Sequence, residues 1–180
     1  MLDNLSGKEV FLDIETTFNK PRLLVIGLKI DDRIYQFYNR EKNEISLVEQ
    51  AIEVLPEKYT LITYGHFDIA TINNLLTREG REDLKSFFLP NIDLLKIVRS
   101  QFDFEKNSLK MVANQFGFTW PEEDLATKKA VEFFLEYEKN GDEVILNNML
   151  KYNSADLRAT KLIFEKLSTL KQQPTLEDFS

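Results

Sequence analysis

The order of strand-like and helix-like segments constrains the fold of this sequence more than any other feature. Three strand-like segments come first, helix-like and strand-like segments then alternate, and the chain is helix-like from about residue 93 onward. The strand patterns lie at 10–15, 22–30, 33–39, 59–64 and 87–95, and the first two helical patterns at 45–55 and 67–80. This order predicts an α/β fold in which a mixed five-stranded sheet is covered by helices.

The length and composition predict a single soluble domain. Of the 180 residues, 43% are hydrophobic and 14 are Phe, which is enough for a substantial core. We expect this domain to span residues 1–170, and the polar stretch 171–180 to form a flexible C-terminal tail. The polar N-terminus and the short apolar runs predict a cytoplasmic protein with neither a signal peptide nor a membrane span.

The lack of cysteine excludes thiol chemistry, and the net charge bears on how the protein could bind nucleic acid. No disulfide, thiolate metal site or thiol nucleophile can form, because the sequence contains no cysteine. The formal net charge of −7 argues against a broad basic surface for nucleic acid. It does not exclude a local one, because bound cations can reverse the field where a substrate binds.

Two carboxylates lie in the first predicted strand, within the stretch EVFLDIETT. Side chains alternate between the two faces of a strand, so Asp13 and Glu15 share a face with Phe11, and the other face is aliphatic. Carboxylates in so apolar a strand cost free energy unless they are paired or bind a metal. The alternative is a strand end that dips into solvent.

The last predicted helix carries a carboxylate within its apolar stripe. The stripe advances in steps of three and four residues, and Tyr152 and Asp156 continue it one turn apart. Its apolar members are Ile145, Met149, Ala159, Ile163 and Leu167. An Asp on the core-facing side of a helix is destabilising unless it is paired or binds a metal. The alternatives are an Asp paired with a buried Arg and an Asp that caps a backbone group.

Asp68, in the stretch FDIATI, follows the fourth predicted strand at the point where a helix begins. Its simplest role is to cap that helix, because Asp is a preferred N-cap residue. Together with Asp13, Glu15 and Asp156, however, it makes a set of four carboxylates that the fold could bring together. Oxygen ligands, in a chain with no cysteine and one histidine, suit Mg²⁺ or Mn²⁺.

Three short motifs resemble those of a known enzyme family. DIETT, FDIATI and YNSAD are similar in order and spacing to the motifs of the DEDD (DnaQ-like) 3′–5′ exonucleases, which have a ribonuclease H-like fold. The Tyr-x-x-x-Asp form of the third motif resembles the DEDDy branch, and stand-alone domains of the YprB type look closer still. The resemblance extends over residues 8–168. In the second motif the family usually has an Asn where this sequence reads Tyr64-Gly65-His66, so His66 either substitutes for that Asn or has a structural role.

The resemblance implies a 3′–5′ exonuclease that hydrolyses phosphodiester bonds with two divalent ions, Mg²⁺ or Mn²⁺. Asp13 would bridge both ions, and Glu15 and Asp156 would complete the site that holds the attacking water. Asp68 would hold the second ion, directly or through water. Tyr152 would orient the water, because a phenol with a reference pKa of about 10 is a poor base. The alternative for Tyr152 is a half-buried core aromatic.

The expected substrate is DNA, single-stranded or at a 3′ terminus, in replication or repair. The candidate substrate contacts are Thr16, His66, Phe67, Lys96, Arg99 and Lys110. The cations among them suit backbone phosphates, although solvated helix faces are the alternative explanation for each one. Two other functions stay open: a ribonuclease that trims RNA 3′ ends, and a catalytically silent module that binds nucleic acid or a sliding clamp.

The sequence ends with QPTLEDFS, in which Gln173, Leu176 and Phe179 are regularly spaced. This spacing resembles the peptide by which replication and repair enzymes bind the sliding clamp PCNA. One helical turn would bring Leu176 and Phe179 together as an apolar plug, with Gln173 beside it. Ser180 stands where that peptide usually has a second aromatic residue, so we expect weakened binding. The alternative is a disordered acidic tail.

Overall fold

A mixed five-stranded sheet forms the centre of the structure. The computed structural model describes residues 7–17, 21–39, 43–121 and 127–171. Its strands are β1 (Lys8–Thr16), β2 (Leu23–Ile30), β3 (Arg33–Tyr38), β4 (Tyr59–Thr63) and β5 (Asn91–Asp93). Its helices are α1 (Glu44–Glu53), α2 (Phe67–Arg78), α3 (Leu94–Gln101), α4 (Leu109–Gln115), α5 (Thr127–Asn140) and α6 (Glu143–Lys171), with a 3₁₀ helix at Glu82–Phe88.

The sheet has an antiparallel half and a parallel half. In the order β3-β2-β1-β4-β5, β1 and β3 pair antiparallel with β2, whereas β4 pairs parallel with both β1 and β5. Antiparallel strands can be joined by a tight turn, and Asp31 and Asp32 form the one between β2 and β3. The mixed sheet covered by helices that the element order predicts is therefore confirmed.

The two faces of β1 pack against different helices. Val10, Leu12 and Ile14 belong to a core shared with α1 and α2. Phe11 faces α6, with its ring centroid 5.6 Å from that of Phe164. Glu15, on the same face as Phe11, is only 4% exposed, so the alternative of a strand end that dips into solvent is wrong for Glu15, whereas Asp13 is half-buried.

The apolar stripe of α6 covers the face of the sheet that carries Phe11. The fully buried members of the stripe are Met149, Ala159, Ile163 and Leu167, as its spacing predicts. Burying a side chain the size of Ile or Leu contributes about 1.5–3 kcal/mol, so this stripe holds α6 in a defined position on the sheet. Asp156 lies within the stripe and is also buried.

The C-terminal prediction concerns residues that the structure does not describe. Gln173, Leu176 and Phe179 lie outside the described residues, so the clamp-binding peptide stays a prediction from sequence. Among the described helices, none is both long enough and apolar enough to cross a membrane.

Candidate functional site

A cleft opens where β1 and β4 part. Their parallel pairing ends at Phe11 and Ile62, whereas β1 continues along β2 as far as Thr16. A cavity of about 1450 Å³ lies beyond that point. Three of the four predicted carboxylates line it: Asp13, Asp68 and Asp156. The carboxyl ends of parallel strands are the usual place for a ligand site in an open α/β sheet.

Asp13, Glu15 and Asp156 form a compact group that we call the acidic cluster. Each contributes a carboxylate oxygen that lies within 4.8 Å of the other two. β1 supplies the first two residues, and α6 brings the third to them because its apolar stripe packs on the same face of the sheet. Among the described residues no ion pair involves these carboxylates, so no described Arg supports the alternative of an Arg-paired Asp156.

Asp68 approaches the cavity from the first turn of α2. It is 8% exposed and lines the cavity, but it is not a member of the acidic cluster. His66 occupies the N-cap position of α2, so the alternative of Asp68 as the N-cap is wrong. A carboxylate in the first turn is stabilised by the positive end of the helix dipole.

The turn before α2 is held by hydrogen bonds from two neighbouring elements. The backbone N–H of Gly65, whose φ is +101°, donates to Asp93 Oδ1 at 3.0 Å. The same oxygen caps α3 by accepting from the N–H of Leu95 at 3.0 Å. Thr63 Oγ1 donates to the carbonyl oxygen of Gly65 at 2.9 Å. These contacts fix the start of α2 and with it the position of Asp68.

Burial raises the pKa of all four carboxyl groups. The pKa of Asp13 rises to about 7, against the opposing effect of a hydrogen bond from Asn153. The pKa values of Glu15, Asp68 and Asp156 lie well above their usual range, first because of burial and then because of repulsion from neighbouring carboxylates. Negative charge at this density is costly unless protons or a cation neutralise it.

Tyr152 lies one turn before Asp156 on α6. It is half-buried against the core around Met149 and also lines the cavity. Its side chain hydrogen-bonds to Asp156, which lowers the pKa of that carboxyl against the larger effect of burial. The phenol therefore has an apolar body in the core and a polar end at the acidic cluster.

The donor set of the acidic cluster fits a hard divalent cation. Its members offer carboxylate oxygens only, which are the ligands that Mg²⁺, Mn²⁺ and Ca²⁺ prefer. Burial and, after it, repulsion between the carboxylates raise the pKa values of Glu15 and Asp156, and a bound cation would remove that repulsion. The acidic cluster could thus bind a metal ion, with Asp68 as a further oxygen donor in the same cavity.

The predicted substrate contacts divide into two sets. Those that line the cavity are Phe67, Arg99 and Lys110. Those that do not line it are Thr16, which is buried, and His66 and Lys96, which are exposed elsewhere. Two basic side chains that we did not predict, Lys151 and Arg158, also line the cavity. Basic side chains in such a position suit the binding of backbone phosphates.

The sequence interpretation missed Asn153, a fully buried amide beside Asp13. Its Nδ2 donates to Asp13 Oδ2 at 2.7 Å and to the Asp13 carbonyl oxygen at 3.3 Å. Two signals could have revealed it. Asn153 lies one turn after the buried Met149, and Gly27 interrupts an apolar strand directly opposite Asp13. A glycine inside a strand often marks the close approach of another group.

Comparison with known families agrees with this geometry. A family model described as the RNase H superfamily matches residues 10–168, a range that contains all four carboxylates and Tyr152. No curated protein matches the sequence.

Proposed function

The chain belongs to the ribonuclease H superfamily, and from that premise we propose that it is a metal-dependent 3′–5′ exonuclease acting on DNA. Membership of the superfamily suggests nuclease activity on nucleic acids in general. The observation that carries the narrower proposal is the geometry of the acidic cluster, two of whose members, Asp13 and Asp156, line one cavity together with Asp68 and Tyr152. The three motifs that resemble DEDDy exonucleases contain these same residues.

Each residue of the site has a role in this proposal. Asp13, Glu15 and Asp156 would hold the catalytic metal, and Asp68 would provide a ligand for a second one. Two divalent ions, Mg²⁺ or Mn²⁺, would supply activation of water and stabilisation of the leaving oxygen when bound. Tyr152, oriented by its hydrogen bond to Asp156, positions the attacking water in line with the scissile bond. Hydrolysis releases a 5′-mononucleotide and leaves a strand shortened at its 3′ end.

The cavity also supports a nucleic acid as the substrate. Among the described residues, four basic side chains line it, in a protein whose net charge is −7. They are Arg99, Lys110, Lys151 and Arg158. Local cations of this kind contact backbone phosphates whatever the base sequence. Phe67, which also lines the cavity and is 58% exposed, offers a face on which a base can stack.

The direct test uses 5′-labelled single-stranded DNA and RNA of equal sequence. We expect a ladder that shortens from the 3′ end with Mg²⁺ or Mn²⁺ and disappears with EDTA. Asp13→Ala or Asp156→Ala should retain the fold, by circular dichroism, and lose cleavage by at least about 10³-fold, because each removes a metal ligand. Asp32→Ala, which removes an exposed carboxylate in the β2–β3 turn, is the matched control and should stay active.

The same experiment separates the remaining alternatives. Faster shortening of RNA would make the protein a ribonuclease that trims 3′ ends. Nucleic-acid binding without cleavage under any metal condition would favour a catalytically silent module. Full activity in either Asp variant would contradict the site assignment itself.

A further inference from the structure

We propose that Asn153 is a positioning residue for the acidic cluster, and that Gln36 sets the orientation in which it acts. Asn153 holds the carboxylate of Asp13 in one rotamer, and Gln36 prevents the amide of Asn153 from turning over. The inference rests on the proposed function in one respect: Asp13 is taken to be a metal ligand.

A row of register partners crosses the sheet beneath α6. Asp13 on β1 lies opposite Gly27 on β2, and Gly27 lies opposite Gln36 on β3. Asn153 of α6 lies over this row and bridges its two ends, by accepting from Gln36 and donating to Asp13. The bridge therefore connects the edge strand, the long helix and the central strand at one position.

Gln36, at the β3 end of the bridge, sets the direction of its hydrogen bonds. Gln36 Nε2 donates to the carbonyl oxygen of Leu150 at 2.6 Å and to Asn153 Oδ1 at 2.8 Å. A backbone carbonyl can only accept, so Gln36 must present its NH₂ group at this point. Its second N–H then selects the oxygen of Asn153, which turns the NH₂ group of Asn153 toward Asp13. The opposite orientation would place two NH₂ groups together and an amide oxygen against a carboxylate.

Both donors of Asn153 are used on a single residue. One N–H goes to Asp13 Oδ2 and the other to the Asp13 carbonyl oxygen, so the carboxylate is fixed relative to its own backbone. The other lone pairs of the carboxylate stay available to a cation. Asn153 is fully buried and both ends of its amide are satisfied, and a satisfied buried network of this kind is rigid.

Gly27 supplies the space that this amide occupies. A Cβ added at Gly27 would lie 2.1 Å from Asn153 Oδ1, well inside van der Waals contact. The other five glycines of the chain have a positive φ, whereas Gly27 does not, so its backbone conformation alone does not call for glycine. A larger residue at Gly27 would exclude the amide from the position in which it contacts Asp13.

Direct Mn²⁺ binding to the full chain, measured by electron paramagnetic resonance, tests the proposal without depending on turnover. We expect Asn153→Ala to weaken Mn²⁺ binding about 10- to 100-fold, the usual effect of losing a residue that orients a metal ligand. Gln36→Met keeps the shape of the side chain and leaves Asn153 in place, so we expect a smaller loss of about three- to tenfold. Cleavage by both variants should recover in part when the Mn²⁺ concentration is raised.

The matched control is Gln50→Met. It removes an exposed Gln amide on α1 that also donates to a backbone carbonyl, that of Ser46, and that does not line the cavity of the acidic cluster. Its Mn²⁺ affinity should equal that of the wild type. Circular dichroism identifies any variant that does not fold. If Asn153→Ala fails to fold, the Mn²⁺ affinity of Gln36→Met alone tests the positioning role.

Three outcomes are distinguishable. Weaker Mn²⁺ binding in folded Gln36→Met, with Gln50→Met unchanged, supports the positioning role. Wild-type Mn²⁺ affinity in every folded variant of Asn153 and Gln36, together with loss of binding in Asp13→Ala, overturns the positioning role and leaves the proposed function standing. A wild-type chain that neither binds Mn²⁺ nor cleaves nucleic acid overturns the proposed function and this inference with it.

Discussion

Asp13 is the residue on which most of the contacts in the site converge. It belongs to the acidic cluster, lines the cavity, and accepts two hydrogen bonds from Asn153. Tyr152 is tied to the cluster differently, through its hydrogen bond to Asp156. At this scale the chemistry depends on how single side chains are held, so single substitutions test it.

Tyr152→Phe should lower kcat about 10²-fold and leave both KM and Mn²⁺ affinity near their wild-type values. The phenyl ring keeps its packing in the core, whereas the hydroxyl that positions the water is lost. Steady-state kinetics on single-stranded DNA measures kcat and KM separately. Tyr137→Phe, which removes the hydroxyl of another half-buried tyrosine, on α5, is the control and should be fully active. An unchanged kcat in Tyr152→Phe would return this residue to the role of a core aromatic.

The raised pKa of Asp13 makes the metal-free protein less stable as pH rises. In the unfolded chain this carboxyl loses its proton near pH 4, whereas in the folded chain its pKa is about 7. Between these values the folded state binds more protons, so its contribution to the free energy of unfolding falls as pH increases. In EDTA we therefore expect the melting temperature to be lower at pH 8 than at pH 5.5, and Mg²⁺ or Mn²⁺ to raise it at pH 8.

Glu15→Gln tests whether the buried carboxylates cause this pH dependence of stability. Removing one buried charge should raise the melting temperature at pH 8 in EDTA by about 2–4 °C, which corresponds to about 1 kcal/mol. It should also flatten the pH dependence and abolish the response to metal. Differential scanning calorimetry measures all three, with Glu132→Gln, an exposed acid on α5, as the control. An equal pH dependence in Glu15→Gln and wild type would contradict the coupling between these carboxylates.

At the scale of elements, the site depends on where α2 and α6 begin and pack. α6 is held by its buried stripe, but α2 is held at its start by a turn that Asp93 ties down. Asp93 performs two tasks at once, since it caps α3 and accepts from the Gly65 N–H. The position of Asp68 in the cavity therefore depends on a residue in β5.

Asp93→Ala should cost about 1 kcal/mol for the lost cap and should also reduce activity. The second effect follows because the turn before α2 loses its contact and Asp68 is less well positioned. Asn43→Ala is the matched control, since Asn43 caps α1 through the Ser46 N–H and does not line the cavity of the acidic cluster. Equal loss of stability with equal activity in the two variants, by thermal melts and cleavage assays, would show that Asp93 is only a cap.

At the scale of the whole molecule, an acidic protein has a cavity whose lining includes several basic side chains. The net charge of −7 weakens the general attraction for nucleic acid, so binding must depend on the few cations that line the cavity. Arg99 and Lys96 lie one turn apart on α3, and only Arg99 lines the cavity. This pair offers a matched comparison between a cavity cation and a surface cation.

Arg99→Ala should raise KM for single-stranded DNA and reduce the slope of log KM against log salt concentration by about 0.7, the share of one phosphate contact on a single strand. Lys96→Ala should leave both quantities nearly unchanged, because its side chain lies outside the cavity. Cleavage rates measured over a range of salt concentrations provide the slopes. Equal effects of the two substitutions would favour a general electrostatic effect and contradict a defined path for the strand.

Much of the fold and part of the site follow from local pattern. Alternation along β1 predicts that Asp13 and Glu15 share a face, and helical spacing on α6 predicts that Asp156 lies among buried residues. The element order predicts the mixed sheet. These predictions succeed because the side-chain periods of strands and helices are properties of a short stretch of backbone.

The tertiary structure alone decided which cations reach the cavity and how Asp13 is held. Lys96 and Arg99 are equivalent by pattern, and they differ only in the direction that α3 gives each side chain in the folded chain. Asn153 is 117 residues from Gln36 and 140 from Asp13, so no local period connects these three residues. Their contact arises from the register of three strands and the placement of α6 over it. Such a placement depends on packing between distant segments, which short-range sequence pattern does not encode.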